Sequence, residues 1–302
     1  MVNACKPKNE ASNIVFEEEI LNIEDIGHLG HKNLSDYGFF TGFLENLVPA
    51  KNVHPYELNT PLFSDYAQKK RFIYLPEGSV IEYHPTEVFD FPVGTVLIKN
   101  FYYDDVQLIN QKGLIIETRL LIKKASEWLA LPYIWNSEQT DAILEITGGV
   151  QEISLLGKKP IYYQIPNMGQ CKGCHQRNGT LQPIGPTARQ LSRNHIDDRG
   201  DSINQLRRLS RLGLLNVSEK EVFPKLSVWN DPKTGSLDER ARAYLEMNCA
   251  HCHRKEGPAK NSGLYLMSSS KSRHALGIMK APVAAGSGSG QLAYDIVPGQ
   301  PE

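Results

Sequence analysis

Residues 113–135 read GLIIETRLLIKKASEWLALPYIW. Two apolar runs, Leu114–Lys123 and Trp128–Trp135, flank a short polar turn, which is the pattern of neighbouring strands and not of one helix. The same punctuation continues on both sides. Upstream it predicts strands at Arg71–Leu75, Val80–His84 and Thr95–Tyr103, and downstream at Ala142–Thr147, Gln151–Leu155 and Ile161–Gln164. Strands of ordinary length with closely spaced turns lead us to expect a sandwich or open barrel over residues 34–165. Trp128, Tyr133 and Trp135 are expected in its core, because burial is the commoner use of a large aromatic side chain.

Outside this unit the text changes character. Residues 1–33 are polar apart from a short amphipathic run around Phe16 to Ile26, and 54–78 are extended and turn-rich. After Pro166 helix and loop are predicted. Ser202 to Leu215 puts Ile203, Leu206, Leu209 and Leu212 on one face with arginines opposite. A second helix opens on Ser236 with Glu239 completing a capping box, and it runs into Cys249.

Composition excludes little but does narrow the classes. The 302 residues carry a net charge of -1, which gives no general reason to expect nucleic acid or an anionic membrane as partner. No run of eighteen or more apolar residues marks a membrane span. Of the five cysteines, four fall in two Cys-x-x-Cys-His strings, Cys171–His175 and Cys249–His253, and Cys5 stands apart.

In that string two thiols form thioethers to the haem vinyl groups and the adjacent histidine ligates the iron. Cys171, Cys174, Cys249 and Cys252 are therefore candidate attachment residues, and His175 and His253 candidate proximal ligands, for two covalently bound haem c groups. A zinc ribbon would also use two Cys-x-x-Cys knuckles, but the interval here far exceeds the roughly 15–20 residues usual for one. A thiol redox centre needs only one pair and no histidine. The histidine after both pairs decides for haem.

The sixth ligands are open at this stage. His195, beyond a proline-containing loop, is the candidate for the first haem, while Met168 lies too near Cys171. Met267, Met279 and His274 follow the second motif, and none of the three stands out. His251, between the cysteines, is expected to point outward. The sequence stops at VPGQPE without the terminal helix usual in a cytochrome c module, so the second module reads as incomplete. Haem c attachment implies export. The segment Val2–Cys5 has the form of a lipoprotein signal's tail, which makes Cys5 a candidate lipid anchor, an ordinary cysteine being the alternative.

Taken together, LSDYGFF (34–40), YELNTPLFSDYAQKKRF (56–72), FPVGTVLIKNF (91–101), QCKGCHQRNGTLQPIGPTARQL (170–191) and RARAYLEMNCAHCH (240–253) resemble a family of bacterial diheme c-type cytochromes with a β-rich N-terminal domain. The resemblance covers most of the chain from Leu34. It implies a continuation beyond PGQPE into a Met-Pro sequence, with the second haem's axial methionine lying there.

The expected architecture is thus α+β and multidomain. A polar leader (1–33) precedes an all-β sandwich or barrel-like domain (34–165), followed by mostly α-helical cytochrome c-like modules over 166–230 and 231–302. The expected function is single-electron transfer in the periplasm or at the outer membrane, with an unidentified redox partner protein. Two alternatives remain: a diheme oxidoreductase of peroxidase type with one open haem, and a polymer-binding β domain fused to a haem relay. The second would need Trp128 and Trp135 exposed.

Overall fold

A computed structural model describes residues 29–109, 112–196, 200, 202–283 and 293–294, so Cys5 lies outside the described residues. Five of the expected strands, joined by the unexpected Val53–Pro55, form one antiparallel sheet of six, in sequential order: β1 (Val53–Pro55), β2 (Gln68–Tyr74), β3 (Val96–Tyr103), β4 (Leu114–Lys123), β5 (Trp128–Trp135) and β6 (Ala142–Leu144). A separate hairpin, β7 (Gly149–Ile153) with β8 (Ile161–Ile165), packs beside it.

Both faces of the sheet are covered, which is why its strands read as nearly continuous apolar runs and not as clean alternation. The rung Phe72–Ile98–Leu120–Leu131 points to one face and its neighbour Ile73–Leu97–Leu121–Ala130 to the other. The first face packs under Leu34, Phe39 and Leu47 from the preceding segment. The second packs under Phe89 and Phe91, and under Leu191, Leu206, Leu209, Leu215 and Met247 from the C-terminal half. A β-bulge falls between Phe101 and Tyr102, where Ile116 is the extra residue on β4. The bulge keeps Phe101, Tyr103 and Ile116 together in a third cluster with Ile153, Tyr163 and Ile165.

The expected architecture needs correction in both halves. The β region is a single meandering sheet with loops and helices on its faces, and not a sandwich or barrel. The region after Pro166 is not mostly helical. Among the described residues there are four α-helices: α1 (Met168–His175), α2 (Ala188–Leu191), α3 (Gln205–Arg211) and α4 (Leu237–Asn248). The predicted helix from Ser202 shrinks to α3 because Ser202–Asn204 pairs with Asn194–Ile196 and Asn204 caps the helix through Leu206 N. It ends before Gly213, whose φ of 71° is left-handed. Leu215–Asn216 then pairs in parallel with Ile81–Glu82. The physical reason is that these segments find their hydrogen bonds and their apolar partners on the sheet, so tertiary packing overrides local periodicity.

Trp128, Tyr133 and Trp135 are buried, as expected from the sequence. They offer no exposed aromatic platform of the kind a polymer-binding β domain would need. No helix among the described residues is long and apolar enough to cross a membrane.

Beneath the first face lies a polar relay. Trp135 Nε1 donates to Thr118 Oγ1 at 2.9 Å, and Thr118 donates to Asn100 Oδ1 at 2.6 Å, with Asn100 and Thr118 fully enclosed. Thr118→Val keeps the shape but leaves an indole N–H and an amide oxygen without partners. We expect a loss of about 2 kcal/mol, seen in urea unfolding as a lower midpoint at unchanged slope.

Candidate functional site

The first Cys-x-x-Cys-His string lies on α1. Asn167 caps this two-turn helix, accepting from Gln170 N at 2.8 Å while Gln170 Oε1 accepts from Asn167 N at 2.9 Å. Helical spacing places Cys171, Cys174 and His175 along one cavity against the second face of the sheet. The cavity measures about 170 Å³, far more than a single water needs. Cys171 is buried, and burial pushes its thiol pKa up.

His175 is the best-defined member. Its Nδ1 lies 2.8 Å from the carbonyl oxygen of Gln182, an acceptor only, so Nδ1 carries the proton and Nε2 holds the lone pair. Burial lowers its pKa to about 4, with Lys99, Arg119 and His251 adding to the shift, so the ring is neutral at physiological pH. A neutral imidazole oriented by a backbone carbonyl is the form in which histidine ligates a metal.

The second string follows α4, whose N-terminus carries the expected capping box: Ser236 N donates to Glu239 Oε2 at 2.8 Å and Glu239 N to Ser236 Oγ at 3.3 Å. The helix ends at Asn248, and Cys249–His253 continues in turns, with His253 N bonded to Cys249 O at 2.9 Å. His253 Nδ1 is 3.0 Å from Ser262 Oγ, which itself donates to Ala259 O at 2.7 Å. Hence Ser262 accepts from Nδ1, and the second imidazole presents Nε2 as the first does. The two strings touch, with Cys252 Sγ lying 3.8 Å from Gly173 O. No three His, Cys, Asp or Glu side chains among the described residues gather as a metal-holding group.

Several side chains near His175 were unexpected. A second, smaller cavity shares Cys174, His175 and Met247 with the first and is also lined by His251, Met267 and Glu246. His251 therefore does not point outward. Its Nδ1 is enclosed, and the ring lies beside His175 and the backbone of Met247. Met247, the penultimate residue of α4, is 4% exposed and borders both cavities. His195 sits opposite Ile203 in a short hairpin and lines neither cavity. His274 and Met279 are exposed, and Met168 packs against the first-face core.

The floor of the larger cavity is a charged rung. Arg71 on β2 pairs with Lys99 on β3, and Lys99 with Arg119 on β4, all on the second face. Glu117, fully buried, binds Arg119 in bidentate fashion, with Nε to Oε2 at 2.8 Å, and accepts from Tyr163 Oη at 2.7 Å. Burial, followed by the neighbouring cations, pushes the Lys99 ammonium pKa well below the usual lysine range. The three cations were visible in the sequence, Arg71 in KKRFIY, Lys99 in VLIKNF and Arg119 in ETRLLI, each next to apolar strand residues.

Comparison of the chain with family models, with curated proteins and with solved structures returns no match.

Glu117→Gln should leave the Arg119 guanidinium short of its counter-charge. The expected cost is about 3 kcal/mol in chemical denaturation, while Tyr163→Phe, which removes only one hydrogen bond, should cost about 1–2 kcal/mol.

Proposed function

We propose that this chain is a diheme c-type cytochrome that passes single electrons in the periplasm or at the outer membrane. The observation that carries the reading is the cavity in which Cys171, Cys174 and a neutral, carbonyl-oriented His175 come together. Cys171 and Cys174 would hold the first haem by thioether bonds and His175 Nε2 would ligate its iron. Cys249, Cys252 and His253 would do the same for the second. Each bound haem supplies a one-electron ferric/ferrous couple.

The rest of the work falls to the chain. Gln182 and Ser262 orient the two imidazoles, and apolar walls such as Leu97, Leu121 and Ile184 limit water around the first site. The contact between Cys252 and Gly173 supports placing the two haems close enough to exchange electrons directly. A redox partner protein would supply or receive them.

Sixth ligands are proposed from the same geometry. Met247 and Met267 as thioethers and His251 as an imidazole border the space around His175, whereas His195 does not. A second reading, a peroxidase-type oxidoreductase, is favoured by one observation: His251, Glu246 and Arg189 line the smaller cavity beside His175 and are groups able to move a proton near an open iron. Against it, Glu246 is already engaged by Arg189 at 3.0 Å and by Ser268 Oγ at 3.0 Å.

Expression with haem c maturation should give two haems per chain by pyridine haemochrome assay, and one when Cys171 and Cys174 are both changed to alanine. Low-temperature electron paramagnetic resonance of the oxidised protein should show two low-spin irons. A haem-free wild-type chain would refute the reading, and a large high-spin signal would turn it toward the peroxidase.

A further inference from the structure

The rung beneath the first Cys-x-x-Cys-His carries more positive charge than the protein neutralises. Arg71, Lys99 and Arg119 are direct cross-strand neighbours on one face, and like charges placed opposite each other destabilise a sheet. Glu117 is in ion-pair contact with Arg119. Among the described residues no carboxylate is in ion-pair contact with Arg71 or Lys99, and Glu57, the nearest acid to influence Arg71, is exposed. Arg71 is 4% exposed and its Nη2 is enclosed with no hydrogen-bond partner. Lys99 is part-buried and lies over the Phe101 ring at 4.5 Å, a contact that softens but does not cancel its charge.

An uncompensated buried guanidinium and a neighbouring ammonium form a costly arrangement unless a ligand brings the missing charges. Both line the cavity that holds Cys171, Cys174 and His175. Holding both groups in their charged forms takes a counter-charge of two, presented on flat, hydrogen-bonding anionic groups, because an arginine fork matches a carboxylate edge-on. A haem has two propionate carboxylates on an apolar macrocycle, and the remainder of this cavity is predominantly apolar.

We infer that Arg71 and Lys99 are the anchor for the two propionates of the haem attached at Cys171 and Cys174, with the Arg119–Glu117 pair completing the rung as a neutral neighbour. The β-sheet is then part of the haem site itself, and the cations of β2 and β3 set the charge felt by the iron. This inference rests on the diheme reading above. It adds that residues about 70 to 100 positions before the motif position the cofactor.

The test uses the matured full-length protein and its variants Arg71→Met, Lys99→Met, Arg71→Lys and Lys99→Arg. Haem content by pyridine haemochrome and intact mass reports on the diheme reading separately from the anchor. Spectroelectrochemical titration then reads each haem's midpoint potential. Ferric haem carries one more positive charge than ferrous haem, so removing a nearby cation favours the ferric form. Each methionine variant should keep two haems and lower the reduction equilibrium constant of one of them by roughly tenfold, the scale of one charge at short range in a partly screened interior. The other haem should be unmoved, and the charge-retaining variants should restore most of the loss.

Equal potentials in wild type, Lys99→Met and Arg71→Met, with two haems bound, would overturn the anchor while leaving the diheme reading intact. A wild-type chain without haem at Cys171 and Cys174 would remove both. Lys99→Met, part-buried and held by no hydrogen bond, provides the comparison if Arg71→Met fails to fold.

Discussion

A one-residue slip in the pairing of β2, β3 and β4 would send every inward side chain of the second face to the first, and the molecule depends on that register. With Arg71 opposite Lys99 and Lys99 opposite Arg119, the apolar rungs on either side fill the two cores and the cations meet beneath the first Cys-x-x-Cys-His. Slipped pairing would bury the cations against the apolar side chains of Leu34, Phe39 and Leu47. The register is held by burial on both faces, and it shifts by one residue only at the bulge after Phe101, where Tyr102 pairs with Ile115.

From that register the rest follows by packing. The second face offers Leu97, Leu121 and Trp128, and the C-terminal half covers it with Leu191, Leu206, Leu209, Leu215 and Met247. The segment after Pro166 therefore does not need long helices of its own to bury its apolar residues. Short helices and two-residue pairings suffice because the sheet supplies the other side of the core. The same packing brings the end of α4 to α1 and so sets one attachment string against the other.

The site combines two kinds of chemistry that seldom sit together without a ligand between them. On one side are the buried Cys171 thiol and an imidazole kept neutral by desolvation, and on the other a rung of cations with one acid. An apolar, dianionic group is complementary to both. On the proposed reading, electron transfer would follow from the cofactor's chemistry, while the chain would decide potential through ligand identity, burial and nearby charge. Met247, Met267 and His251 bear on the first of these, and Arg71 and Lys99 on the last.

Much of this was legible in the sequence, because it is local. Strand positions from Arg71 to Gln164 follow from runs and turns, and the capping box at Ser236 from a spacing of three. What the sequence could not settle is long-range. The sandwich or barrel and the helical modules were wrong because local patterning records which residues want burial and not which surface buries them. His251 was expected to point outward and lines a cavity instead, and His195 lines neither cavity, because their environment depends on elements far along the chain. The cationic rung needed a strand register to bring positions 71, 99 and 119 into line. Residue identity and short-range spacing determined the chemistry available to this protein, and tertiary pairing alone decided which of those groups face one another, because a contact between distant residues is fixed by the packing of whole elements and has no signature within any one of them.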